Sequence, residues 1–232
     1  MFGIKFDDKH TYEDFGLCCT SLEIGLPTVK KHTVNLKGAD GFLDLTEVFG
    51  RPLYGNRKLL FRFDHEERNY TEWMEAVTQA VNYLHGRKRK IILDNDASYY
   101  YEGRATCRIL KDNKVFSTLT IDVDAAPYKR ELHDSADYCW IWDTFSFING
   151  IIREYYNLVI EDSYTLVVMG SEAPVMPVFY SSAPMTVTFN GRDYALSAGE
   201  TRPYGLVIKD GPNILAFTGR GVVSISYRGG KI

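Results

Sequence analysis

Five histidines, His10, His32, His65, His85 and His133, are the side chains with which this chain could run acid–base or metal chemistry near neutral pH. No two stand at the spacing that lets one helix present a pair to a zinc ion. The cysteines are Cys18, Cys19, Cys107 and Cys139, with no C-x-x-C pair among them. Adjacent thiols such as Cys18–Cys19 suit neither a zinc knuckle nor an ordinary disulfide, so buried free thiols are expected. Asp94-Asn95-Asp96-Ala97-Ser98 opens like a calcium loop. It lacks the glycine, and Ala105 stands where the bidentate acid belongs, so it reads as a turn. Asp122 and Asp124 lie two apart on a predicted strand and share a face. Glycoside hydrolysis needs such a pair opposed across a cleft with one pKa raised, and a solvated sheet face is the simpler reading. Arg87-Lys88-Arg89-Lys90 follows a predicted helix end, where cations are favoured, so the tetrad needs no nucleic acid to explain it. There is no Gly-x-Ser-x-Gly elbow, P-loop or dinucleotide fingerprint, and Gly219-Arg220-Gly221 reads as a hairpin turn. No catalytic, cofactor-binding or metal-binding residue stands out, and although scattered residues could still assemble a triad in space, nothing in these motifs favours an enzyme over a binding or structural protein.

One long helix is predicted, over Tyr70–His85. Trp73, Ala76, Val77, Ala80, Val81 and Leu84 step by three or four and line one face, while Glu72, Glu75, Thr78, Gln79 and Asn82 take the other. Asn69 with Glu72 fits an N-cap and its capping-box partner. Gly86 fits the left-handed stop. A lone amphipathic helix in a β-rich chain must lay its apolar stripe on a sheet.

Almost everything else reads as strand and turn. Strands are expected at Phe2–Phe6, Leu22–Ile24, Thr28–Leu36, Lys58–Phe63, Ile91–Leu93, Tyr99–Tyr101, Gly103–Leu110 and Phe116–Val123, the last two joined by a turn at Lys111–Lys114. Residues 38–57 are apolar and aromatic without regular period, and their glycines and proline break any long element. A greasy loop of that length either folds back on its own domain or reaches a neighbouring chain. Pro127 and the charged run after it mark a boundary. Beyond it come Cys139–Asn149 with Trp140, Trp142, Phe145 and Phe147, then short strands at Tyr164–Val168, Val175–Tyr180, Met185–Phe189, Tyr194–Leu196, Tyr204–Ile208, Ile214–Thr218 and Val222–Tyr227. Asn190-Gly191 and Ala198-Gly199 punctuate them, a spacing that suits a sandwich or jelly roll. With 232 residues, 45% of them apolar, and a net charge of −3, the chain can build such cores and has no basic balance to favour nucleic acid. The N-terminus does not read as a signal peptide, and no run approaches the ~18 apolar residues of a membrane span, so a cytosolic, non-membrane protein is expected.

Five stretches in order carry a resemblance: Gly38-Ala39-Asp40-Gly41-Phe42-Leu43-Asp44, Tyr54-Gly55-Asn56-Arg57, the helix end Leu84-His85-Gly86, Tyr99-Tyr100-Tyr101-Glu102-Gly103-Arg104, and Ala126-Pro127-Tyr128-Lys129. Together they resemble the N-terminal domain of the distal tail proteins of long-tailed, non-contractile phages. Asn190-Gly191, Gly211-Pro212-Asn213-Ile214 and the closing Gly219–Tyr227 strand are similar to that family's second domain. The resemblance implies a mainly β protein of two domains: residues 1–130, a ring-forming β-sandwich with one packed α-helix and an extended hairpin, and residues 131–232, a galectin-like or jelly-roll β-sandwich. It implies a structural protein of the virion tail tip or baseplate, phage- or prophage-encoded and assembled in the host cytoplasm. Its hexameric ring would join the tail tube protein to the tail-associated lysin or fibre protein and pass DNA only as cargo. The subunit interface would then include Gly38, Asp40, Gly41, Phe42, Phe49, Tyr54 and Arg57. A glycan-binding module for host cell-wall polysaccharide is the alternative, with Tyr155, Tyr156, Tyr180 and Tyr204 as stacking candidates.

Overall fold

The computed structural model describes residues 2–65, 70–111, 117–136 and 155–232. The Asn69 cap, the turn after Lys111 and the aromatic stretch Cys139–Asn149 lie outside them. Two compact units form, Met1–Asp96 with Tyr100–Lys129, and Ala97–Tyr99 with Arg130–Ile232.

The first unit contains β1 (Ile4–Phe6), β2 (Lys9–His10), α1 (Thr11–Phe15), β3 (Leu17–Ile24), β4 (Thr33–Val34), β5 (Leu43–Asp44), β6 (Arg57–His65), α2 (Tyr70–Leu84), β7 (Lys88–Leu93), β8 (Tyr99–Lys111) and β9 (Ser117–Ala125). Seven strands of one antiparallel sheet run in the order β2-β1-β7-β8-β9-β6-β3. The sheet curls until its ends approach, and the Phe2 carbonyl accepts from the Cys19 N–H at 3.3 Å. The two layers of the expected sandwich are thus this curled sheet and α2. Period-two alternation points Leu59, Phe61 and Phe63 of β6 and Leu119, Ile121 and Val123 of β9 inward, all fully buried. Trp73, Ala76, Val77, Ala80 and Leu84 of α2 complete that core, the stripe read from the sequence. Each large side chain so buried contributes roughly 1.5–3 kcal/mol.

Gly86 ends α2 at φ +74°, and its N–H reaches the Ala105 carbonyl at 2.8 Å. Arg87, Lys88 and Lys90 of the basic tetrad are exposed beside the helix end, although Lys88 to Lys90 already belong to β7. Arg89 is drawn inward: its guanidinium pairs with Asp7 at 2.8 Å, stacks 4.1 Å from the Tyr83 ring centre and donates to the Tyr83 carbonyl at 2.8 Å. The cation does stabilise a helix end, but from a neighbouring strand. Likewise Thr28–Leu36 forms no continuous strand. Thr33–Val34 pairs with Leu43–Asp44, whereas Thr28 to Lys30 pair with Leu53 to Gly55 in a different register, so the strand is interrupted.

β10 (Lys129–Glu131) crosses between the units. The second unit holds β11 (Leu158–Gly170), β12 (Val178–Ser181), β13 (Met185–Phe189), β14 (Arg192–Leu196), β15 (Gly199–Thr201), β16 (Gly211–Ser226) and β17 (Gly230–Lys231). Its sheet runs β14-β13-β16-β12-β15, with β11 paired along β16. Asn190-Gly191 makes the expected tight hairpin between β13 and β14, with φ +51° and +73°. Tyr204–Ile208 is not a strand, and only Ile208 makes a bridge, to Val175. Gly219-Arg220-Gly221 is not a hairpin turn either. The two strands expected around it are one 16-residue strand, β16. Gly219 and Gly221 kink it at φ +139° and +150°, where it leaves β13, paired at Thr218, for β12, paired from Val223 onward. The chain is mainly β, with few helices and several antiparallel sheets.

Candidate subunit interface

Past Ile24 the β3–β6 ladder continues as a long hairpin arm, residues 25–56. The Gly25 N–H donates to the Lys58 carbonyl at 2.8 Å, Gly55 to Thr28 at 2.7 Å, Lys30 to Leu53 at 2.8 Å and Leu45 to His32 at 2.7 Å. The pairs Thr33–Asp44 and Val34–Leu43 then close β4 on β5. An isolated two-stranded ladder is only marginally stable, so this one draws its order from the sheet behind it. From Lys30 to Gly50 every residue is exposed except Leu45 and Thr46, which are half-buried. The exposed side chains are apolar to an unusual degree, with Leu26 at 77%, Phe49 at 71%, Phe42 at 64% and Val48 at 61%. Val29, Val34, Leu36 and Leu43 join them. Clustered apolar surface of this kind marks an interaction site.

The interface residues read from the sequence fall into two groups. Gly38, Asp40, Gly41, Phe42 and Phe49 lie exposed along the distal arm. Tyr54 and Arg57 lie at its base. Arg57 is 2% exposed, its Nε donates to the Gly25 carbonyl at 2.9 Å, and its guanidinium lies 5.4 Å from the Tyr101 ring centre. Burial lowers its pKa, with the Tyr101 phenol pulling the other way. Leu26, Val29, Val34, Leu36 and Val48, exposed on the same arm, were not among the residues read as interface. Nor was Arg51, a base contact.

Several of the residues weighed for chemistry make structural contacts. His10 caps α1, accepting the Glu13 N–H on Nδ1 at 3.2 Å, and faces Asp94 through Nε2 at 3.1 Å. Asp94 also accepts the Gly3 N–H at 2.7 Å, and Asp96 pairs with Lys129 at 2.6 Å, so the calcium-like run is a 3-10 turn tied to its own unit. Asp122 pairs with Arg108 at 3.0 Å and Asp124 accepts from Asn56 at 3.1 Å. Among the described residues no three His, Cys, Asp or Glu side chains cluster to hold a metal ion, and no helix is long and apolar enough to cross a membrane.

No protein-family model matches the sequence, and no curated protein matches it in sequence. The fold does have a solved counterpart. The crystal structure of SPP1 Dit (gp 19.1), described as a paradigm of the hub adsorption apparatus in phages infecting Gram-positive bacteria, superposes with a TM-score of 0.60. The match covers 98% of this chain and 99% of that one at 11% sequence identity. This chain has the distal tail protein fold.

Within this Dit fold the tyrosines weighed for glycan stacking part company. Tyr155 is core: it is 4% exposed, stacks on Tyr227 at 6.1 Å, and its hydroxyl accepts the Met169 N–H at 3.0 Å. Tyr156 and Tyr180 are exposed and line one groove of about 510 Å³ with Val222 and Ser224. Tyr204, 92% exposed, lies outside that groove. The described cysteines of the Dit fold, Cys18, Cys19 and Cys107, are half-buried and in no disulfide. Burial pushes the Cys19 and Cys107 thiols up to about 11. At pH 8 only about one in a thousand of either is thiolate, the reactive form. Both are expected to resist alkylation by iodoacetamide in the native protein and to react at once in guanidinium. Mass mapping of labelled peptides checks this, and rapid native labelling at either site would refute it.

Proposed function

We propose that this chain is a non-enzymatic structural subunit of a phage tail tip. Copies close into a ring, hexameric as the sequence resemblance implies. The ring joins the tail tube protein above it to a tail-associated lysin or fibre protein below, and DNA passes through as cargo. The observation that carries this reading is an apolar arm left uncovered on a chain whose whole length has the Dit fold. A ring built by rotation needs two different complementary patches on every subunit. The arm supplies one of them, reaching from its own sheet to the body of the next copy. On that reading Phe42, Phe49, Gly38, Asp40 and Gly41 lie at the contact, while Tyr54 and Arg57 hold the base. Residues 1–130 form the ring wall, and residues 131–232 form a separate outer domain.

The arm is the part to remove. Joining Pro27 to Tyr54 through a short Asn-Gly turn leaves both cores intact. The intact protein, concentrated, is expected to give a ring mass by multi-angle light scattering, and the shortened one a monomer with unchanged far-ultraviolet dichroism. Rings of unchanged mass in the shortened protein would sink the assignment of the arm.

A further inference from the structure

Three contacts tie the base of the arm to its own sheet. Arg51 Nη1 donates to the Tyr128 hydroxyl at 2.8 Å. The Tyr128 ring meets the Tyr54 ring edge-on, with centroids 6.0 Å apart and planes at 90°. Asn56 Nδ2 donates to Asp124 at 3.1 Å. Beyond this base, from Lys30 to Gly50, the arm is exposed except at Leu45 and Thr46. The returning strand of the arm therefore meets the sheet under a latch that also takes in Tyr128, just past Pro127. Ring-against-ring contact and a guanidinium bond to a fixed hydroxyl restrict direction far more than the two-stranded ladder alone.

Direction matters for assembly. In a head-to-tail contact the rotation from one copy to the next decides the outcome: a rotation that divides the circle closes a ring, and any other gives an open helical array. If the arm carries the contact, the angle at its root is part of that rotation. We infer that the Arg51–Tyr128–Tyr54 latch is the positioning device that fixes this angle and so selects a closed ring of one size. The inference rests on the ring reading above and goes beyond it, since it assigns the latch to the angle of the contact and not to its strength. It makes the contact uniform, whereas Phe42 and Phe49 make it strong.

The test compares the intact protein with Arg51→Leu and Tyr128→Leu by native mass spectrometry and negative-stain microscopy. Arg51→Leu removes only the bond to the hydroxyl and leaves the Tyr54–Tyr128 ring pair, so it serves where Tyr128→Leu unsettles the fold. Thermal melting selects the variants that stay folded. The intact protein is expected to give one closed species. The variants are expected to keep associating at similar concentration but to spread over several masses, with open arcs or filaments among them. Uniform rings of the original size in both variants would overturn the latch and leave the ring reading standing. Monomers would overturn it also, because they would make the latch a requirement for contact and not for its angle. No closed species from the intact protein would sink the ring reading itself, a failure separable from the other two.

Discussion

Replacing Gly219 with valine is expected to unfold the second unit at a temperature where the first survives. Gly219 sits at φ +139°, a backbone state that a β-branched residue avoids at a cost of about 1–3 kcal/mol. A Cβ there would also stand 2.8 Å from the Met185 Cβ on β13. That is a strand-to-strand approach with no flexible tip to yield, and overpacking adds roughly 1–3 kcal/mol. The sum, about 2–6 kcal/mol, is a large share of a domain stability of roughly 5–15 kcal/mol. The damage is specific because the kink at Gly219–Gly221 lets one strand serve two partners, β13 before it and β12 after it. Arg220→Ala, one residue away, is the control. Its ion pair with Asp162 is 2.7 Å long but exposed on both sides, at 77% and 73%, where solvent screens such pairs and leaves them little effect on stability. Hydrogen exchange read on β16 and on β6 separates the two units. Equal protection of β16 in Gly219→Val and the parent would refute the account of the kink.

The double replacement Phe42→Ser with Phe49→Ser is expected to leave the melting temperature of the chain unchanged and to abolish its self-association. Both rings are mostly in water in the single chain, at 64% and 71% exposure, so neither supports the fold. Substitutions at such positions shift stability by no more than about 0.5 kcal/mol. In an assembly the same rings are the natural anchors, because buried aromatics supply roughly 2 kcal/mol or more each at interface centres. Loss of two should weaken each contact by about a thousandfold. Sedimentation equilibrium against calorimetry checks the pair of outcomes together. An association constant within threefold of the parent would remove the phenylalanines from the interface. A collapse of the melting temperature would show them to be core residues after all.

Much of this was legible because it is local. The stripe of α2 depends on the 3.6-residue period, and all five of its buried residues were in the sequence reading. The inward rows of β6 and β9 depend on a period of two, and Asn190-Gly191 is a turn by its own chemistry. Gly219-Arg220-Gly221 misled for the opposite reason. A pair of glycines reads as a turn from the local chain alone, and only the partner strands β12 and β13 reveal that it bends a strand without ending it. Within the basic tetrad Arg87, Lys88 and Lys90 are exposed as the sequence implied, and only Arg89 departs, since its destination is set by Asp7 and Tyr83, 82 and 6 positions away.

The arm divides along the same line. Its sequence determined that residues 38–57 could not be an ordinary strand or helix, because glycines and a proline interrupt every period and the apolar residues keep none. That was enough to ask for a neighbour. Whether those side chains would fold back onto their own sheet is a question of what surface remains free, and no local rule answers it. The tertiary structure decided it. The sheet spends its inner face on α2 and pairs the charged residues of its outer face among themselves, as Arg108 does with Asp122 and Lys88 with Glu102. Phe42 and Phe49 are left in water, while the base of the arm is tied down by Arg51, Tyr54, Arg57 and Tyr128. Periodicity tells a side chain which way to point, but only the assembled sheet tells it whether anything is there to meet it.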